Sequence, residues 1–262
     1  MQSRPFTYLF YIQYLGLRYR GWQVQSEVRT VQGTLHKAIR YLLGHEDFNI
    51  LGASRTDAGV SCEKGAFELF LKTELEVKSF LKNLNSNLPA DIRVFGGHPV
   101  SLDFNIIQDV SEKEYCYYFS FGQKFHPFRS ATLAFFEGEY DIAQMQLSVA
   151  LFPGEHDFRN FCHREKGDTN CVREIFSFHL ELVGPLDIYK PNGQQVYRFR
   201  VSGKGFLMHQ VRYMIGALLM VGNGSLGIDD LHAALKLKSV QRPWVKVPAN
   251  GLVLHNIRFS GL

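Results

Sequence analysis

Residues 175–183 (IFSFHLELV) and 196–201 (VYRFRV) are rich in β-branched and aromatic side chains and read as two strands. Between them stands Asn192-Gly193, a pair that accepts positive φ readily and so signals a hairpin turn. Strands joined by a hairpin run antiparallel, whereas parallel neighbours need a longer crossover, usually a helix. The stretch therefore favours α+β over a doubly wound sheet.

The flanking sequence extends this reading in both directions. Residues 8–14 carry enough aromatic and β-branched residues for a strand, and residues 48–51 are strand-like. Thr30 offers an N-cap, after which Val31, Leu35, Ile39, Leu42 and Leu43 fall at helical spacing. Phe67, Leu69 and Leu71 alternate with Ala66, Glu68 and Phe70 as a strand, and a helix near 77–84 follows. Tyr115, Tyr117, Phe119 and Phe121 alternate as another strand. Residues 142–152, 206–221 and 228–237 read as helices, and 252–259 as a closing strand. Strands outnumber what single βαβ crossovers would supply. The expected fold is α+β, two similar halves, each a mostly antiparallel sheet covered by helices. The break is placed in the loop-like stretch at 122–130, giving halves 1–122 and 123–262. No linker separates them, so a continuous core and a ligand cleft between the halves are expected.

At 262 residues the chain exceeds the ~100–200 of one ordinary domain. Its 45% hydrophobic and 21% charged residues are those of a globular protein, not a disordered one. No apolar run approaches the ~18 residues of a membrane helix, because Arg18, Lys204 or Arg212 interrupts every candidate. Met1-Gln2-Ser3-Arg4-Pro5 lacks the features of a signal peptide, which points to an unexported, cytoplasmic protein without membrane contact. Cys62, Cys116, Cys162 and Cys171 read as reduced thiols. Cys162 and Cys171 with His156 and His163 lack paired metal-ligand spacing, so no metal is expected.

A net charge of +4 does not by itself announce nucleic acid, but its distribution is uneven. Residues 1–26 hold Arg4, Arg18 and Arg20 and no acid; residues 188–228 hold Lys190, Arg198, Arg200, Lys204 and Arg212 and no acid. With Tyr14, Tyr19, Trp22, Tyr197 and Phe206 among them, these stretches suit phosphate neutralisation and base stacking. Solvent-facing strand positions would give the same pattern.

Two features carry candidate chemistry. Residues 52–60 (GASRTDAGV) place an Arg-Thr-Asp triplet among small residues, either an Asx-type turn or a carboxylate poised at a cleft. Residues 214–221 are apolar all round, as in a buried helix, with Arg212 at the entrance and no acid within helical reach. A partly buried guanidinium needs a partner from elsewhere in the fold, and Asp57 is one candidate; water or a phosphate is the other. An Asp paired with Arg stays ionised, which suits a nucleophile or base.

The hexapeptide Arg55-Thr56-Asp57-Ala58-Gly59-Val60 resembles the signature of the TruA family of tRNA pseudouridine synthases. Gly21-Trp22-Gln23 with Gln25, Thr30-Val31-Gln32, Asn87-Leu88-Pro89 with Asp91-Ile92, and residues 154–161 (GEHDFRNF) follow in the family order. Arg173-Glu174-Ile175, Gly203 with Phe206, His209, Val211-Arg212, Gly216 and Gly251-Leu252 complete it, so the likeness runs nearly end to end. The resemblance implies that uridine is isomerised to pseudouridine in tRNA, in the anticodon stem-loop, with Asp57 as the nucleophile. It further implies that Tyr115 stacks on the base, that Arg212 pairs with the aspartate, and that Leu252 lines the pocket. The implied RNA contacts include Arg55, Thr56, Arg18, Arg20, Gln23, Lys204 and His209. No cofactor or metal is required, the partner is tRNA, and the chain is implied to be a homodimer.

Four positions depart from the family pattern. Leu15 stands where the family has an aspartate, Ser61 replaces a histidine, Ile107 replaces the arginine that assists flipping, and Cys116 replaces a basic residue. These concern RNA contacts or the pocket rim, and they keep open a shifted RNA target. A catalytically silent RNA-binding protein or chaperone on the same scaffold is the second class, and the intact Asp57, Tyr115 and Arg212 weigh against it.

Overall fold

The computed structural model describes residues 4–163, 170–183, 195–236 and 243–262. Two compact units make up the chain, Met1–Ser111 with Val253–Leu262, and Glu112–Leu252. This division differs from 1–122 and 123–262: the strand carrying Tyr115 belongs almost wholly to the second unit, and the last strand returns to the first. The architecture is α+β.

In the first unit β1 (Phe6–Tyr14) runs antiparallel between β3 (Ser61–Leu71) and β4 (Ile92–Pro99). β2 (Asn49–Gly52) pairs antiparallel with the far half of β3, and β10 (Leu252–Phe259) pairs in parallel with its first residues. α1 (Val31–Leu43) forms where the spacing predicts. The Thr30 side chain accepts from the Gly33 amide at its start, and left-handed Gly44 ends it. α2 (Val77–Asn87) packs Phe80 on Phe10, ring centroids 5.4 Å apart, and Phe10 in turn stacks on Phe67. Asn85 ties α2 to β4 by donating to the Val94 carbonyl at 2.7 Å and accepting from its amide at 2.9 Å.

In the second unit β5 (Val110–Phe121) pairs antiparallel with β9 (Tyr197–Gly203), β9 with β8 (Val172–Leu182), and β8 with β7 (Gly154–Asp157). β6 (Ala134–Phe136) adds in parallel to the end of β5. Alternation along β5 sends Tyr115, Tyr117 and Phe119 to one face, where Phe199 stacks on Phe119 at 5.1 Å. The opposite face is polar: Arg198 pairs with Glu181, and Arg200 donates to Glu114 at 2.9 Å. Two arginines of the acid-free 188–228 stretch are thus neutralised by carboxylates across the sheet. α3 (Ile142–Val149), α4 (Gln210–Gly222) and α5 (Ile228–Lys236) complete the unit.

The sheet pairing of β8 with β9 is the antiparallel one expected, while the Asn192-Gly193 turn itself lies outside the described residues. α3 stops at Val149, short of 152, and α4 begins at Gln210, later than 206. No described helix is long and apolar enough to cross a membrane.

Candidate active site

The Asp57 loop joins β2 to β3 and is clamped by the segment that follows β1. The Thr56 hydroxyl meets the Tyr14 hydroxyl at 2.7 Å in a buried setting, and the Thr56 carbonyl accepts from the Trp22 amide at 3.1 Å. The Gly59 amide donates to the Tyr19 carbonyl, and the Val60 amide donates back to the Asp57 carbonyl, both at 3.1 Å. Gly16 lies against the far end of the loop, where a Cβ would come within 2.1 Å of the Val60 carbonyl oxygen. Thr56 is buried, Asp57 half-buried and Arg55 exposed. Backbone and hydroxyl contacts thus hold both flanks of Asp57, so its carboxylate is carried on a fixed turn.

Behind this loop Asp91 gathers three partners. It accepts from the Tyr19 hydroxyl at 2.6 Å and lies 3.5 Å from Arg18 and 3.8 Å from Arg29. Arg29 also lies over the Tyr19 ring at 4.8 Å and donates to its hydroxyl at 3.0 Å. Burial, and then the Asp91 carboxylate, push the Tyr19 phenol up from its ordinary range. Arg18 is therefore engaged by a carboxylate while remaining largely exposed; Arg20 and Gln23 are exposed beside it.

In the second unit Tyr115 is 8% exposed and packs edge-on against Phe206, ring centroids 5.3 Å apart at 89°. Arg212 is buried at the start of α4, and its Nε donates to the Val247 carbonyl at 2.8 Å. Its charge bears on Tyr117, whose phenol burial pushes above the ordinary range. α4 is buried on almost every side, as its all-round apolar sequence implies. His209, the residue that caps α4, holds φ +62°, a left-handed conformation uncommon for a side chain this large, with Lys246 Nζ 3.5 Å from its ring. Leu252 is buried and Lys204 exposed.

The four departures have separate structural consequences. Ser61 is buried and its hydroxyl accepts from the Gly16 amide at 2.9 Å, so it braces the Asp57 loop. Leu15 donates its amide to the Asp91 carbonyl at 3.0 Å. Ile107 is 57% exposed on a turn capped by Asn105, and Cys116 is fully buried on the polar face of β5. All four cysteines are buried.

Sequence reasoning named Asp57, Tyr115 and Arg212 as candidates and did not foresee the Tyr14–Thr56 contact, the cluster at Asp91 or the buried Glu68. The first two join residues far apart in the chain. Glu68 could have been flagged by its place inside the otherwise apolar run 65–71.

A family model described as tRNA pseudouridine synthase matches residues 149–260. "tRNA pseudouridine synthase A" of Exiguobacterium sibiricum is 34% identical over 246 residues, 94% of each chain. "tRNA pseudouridine synthase A" of Thermodesulfovibrio yellowstonii is 32% identical, covering 94% of this chain and 96% of that one. The protein of the same name from Oenococcus oeni is 30% identical over 98% of this chain and 99% of that one. With identity of this level sustained over nearly the full length of each relative, the chain belongs to the tRNA pseudouridine synthase A family.

Proposed function

We propose that this protein isomerises uridine to pseudouridine in the anticodon stem-loop of tRNA, with Asp57 as the nucleophile. What carries the reading is the intact Arg55-Thr56-Asp57 turn, pinned at Thr56 and Gly59, in a chain 34% identical to a tRNA pseudouridine synthase A. The target uridine must leave its stack to be reached, at a cost of a few kcal/mol, roughly. Stacking on Tyr115 offsets part of that, by ~1–3 kcal/mol. Asp57 then attacks C1′ as the N1–C1′ bond breaks and the uracil leaves as an anion. The ring turns in place, C5 attacks C1′ as the Asp57–C1′ bond breaks and frees the carboxylate, and the C5 proton is lost while N1 takes one up. Arg212 serves as the basic residue paired with the aspartate, and Leu252 belongs to the pocket wall. Arg55, Thr56, Arg18, Arg20, Gln23, Lys204 and His209 contact the RNA. Water must be kept from C1′, or isomerisation becomes hydrolysis. The protein acts in the cytoplasm as a homodimer, which light scattering would refute by returning a monomer.

Tritium release from tRNA transcripts carrying 5-tritiated uridine tests the reaction, because rebonding at C5 must expel that tritium. Release by the wild type, none by Asp57→Asn, and near-equal tRNA affinity for both support the reading. Loss of binding together with activity in Asp57→Asn would overturn the nucleophile's role.

A second reading, a shifted uridine within the RNA, is favoured by exposed Ile107 standing where the family has its flipping arginine. Pseudouridine mapping in RNA from a deletion strain separates the two. Loss confined to anticodon-arm positions supports the first reading; loss elsewhere supports the second.

A further inference from the structure

β5 places a lysine where the proposed reaction creates an anion. Lys113 is two residues before Tyr115, so the two side chains leave the same face of the strand, with Cα atoms about 7 Å apart at the usual rise. Glu114, between them, points to the opposite face and is committed to Arg200 at 2.9 Å. Across the ladder Lys113 stands opposite Gly203, where a Cβ would meet the Glu174 carbonyl oxygen at 2.7 Å and the Phe206 ring at 3.5 Å. Tyr115 is fixed in plane by its edge-on contact with Phe206. A base stacked on Tyr115 therefore lies within the length of the Lys113 side chain.

The chemistry of the step explains why a cation belongs there. When N1–C1′ breaks, the bonding pair leaves with uracil, as Asp57 forms the new bond to C1′. The detached ring then carries one negative charge, spread over N1 and the two carbonyl oxygens. It keeps that charge until C5 attacks C1′, when the Asp57–C1′ bond breaks and the charge returns to the Asp57 carboxylate; the C5 proton then departs and N1 is protonated. We propose that Lys113 is a catalytic residue whose ammonium binds a carbonyl oxygen of the detached uracil and neutralises this charge. The inference rests on the reading that Tyr115 holds the base.

Burial supports the assignment by pulling the Lys113 ammonium down to about 8 from its ordinary value of 10.5. A desolvated ammonium acts strongly on a neighbouring anion because little water screens the pair. Among the described residues, Tyr115 and Tyr117 leave the same face of β5, and the Arg212 charge on α4 reaches Tyr117. Tyr117 is pushed above the ordinary phenol range and does not titrate in the same window.

The test measures tritium release by the wild type, Lys113→Met and Lys113→Arg from pH 6 to 10, with KM and kcat separated. Lys113→Met is expected to lower kcat by at least tenfold while KM changes less than threefold. The wild type should lose kcat above about pH 8, and Lys113→Arg should recover most of the activity and hold it to higher pH, since a guanidinium stays charged. A Lys113→Met enzyme with wild-type kcat would overturn the role while leaving the reaction standing. So would an alkaline limb that does not move in Lys113→Arg, which also covers the case of a Lys113→Met chain that fails to fold. No release by the wild type would instead overturn the reaction itself, and this inference with it.

Discussion

The Tyr14 and Thr56 hydroxyls meet at 2.7 Å, both side chains buried, and this contact joins the end of the first strand to the residue preceding Asp57. A buried hydroxyl that loses its partner costs about 1–3 kcal/mol, and a made hydrogen bond contributes about 1. Tyr14→Phe is therefore expected to lower the melting temperature by several degrees and turnover several-fold, with tRNA affinity retained. Thr56→Val should do the same, and the double variant should fall short of the sum, because each single change removes the same bond. Strict additivity in thermal melts would show that the two hydroxyls act independently.

Gly16 allows the closest approach in this clamp. A Cβ there would stand 2.1 Å from the Val60 carbonyl oxygen, which is backbone and cannot turn away as a side chain could. Gly16→Ala must push residues 59–60 outward, and overpacking of this kind costs about 1–3 kcal/mol. The displacement begins two residues from Asp57, so kcat is expected to fall at least tenfold. Tyr41→Ala, at a side chain 76% exposed, should leave kcat unchanged and serves as the control in the same tritium-release assay.

Elements whose signals are local were legible in the sequence, and those that depend on distant neighbours were not. α1 declares itself through the Thr30 cap, the buried spacing of Val31, Leu35 and Ile39, and the Gly44 stop. The closing strand emerges with the bounds its apolar pattern predicts. β4 was missed because Gly96, Gly97 and Pro99 look like breakers. Gly97 is in fact required there, since a Cβ would meet the Phe10 ring at 2.2 Å. The Arg55-Thr56-Asp57 triplet was legible as a turn, because small residues around a carboxylate are a local pattern. What holds it was not: Tyr14 is 42 residues from Thr56, and Gly16 is 45 from Ser61. Ser61 in particular reads as a loss when set beside the family's histidine, yet its hydroxyl does structural work on the Gly16 amide.

Arg212 offers a separation of charge from geometry. Its buried Nε donates to the Val247 carbonyl, which joins α4 to the segment ahead of the closing strand. Arg212→Met leaves that carbonyl without its donor, a cost of about 1–3 kcal/mol. It also removes the cation assigned to the aspartate. Turnover is expected to fall a hundredfold or more, and the urea midpoint should drop. Arg212→Lys keeps the charge but not the planar fork, so it should recover part of the stability and little of the turnover. Full activity in Arg212→Lys would show that a point charge suffices.

Glu68 makes stability depend on pH in a direction opposite to an ordinary surface acid. It sits inside β3 at 1% exposure, with Oε2 accepting from the Ile106 amide at 3.4 Å and Oε1 lacking a hydrogen-bond partner. Burial pushes its carboxyl up to about 7 from 4.5; the Ile106 amide opposes this and the Asp109 charge adds to it. The unfolded chain releases the proton near 4.5, while the folded chain keeps it until about 7. Between those values the folded state binds more protons, so stability falls as pH rises through the window and levels off above it. The full shift corresponds to a loss on the order of 3 kcal/mol. Glu68→Gln keeps the shape without the charge, so it should match the wild type near pH 4 and be clearly more stable at pH 8. Urea denaturation at pH 4.5, 6, 7 and 8 reads the difference. Parallel curves for the two proteins would mean that Glu68 releases its proton in the fold at the same pH as in the unfolded chain, and that the strand accommodates the charge it encloses.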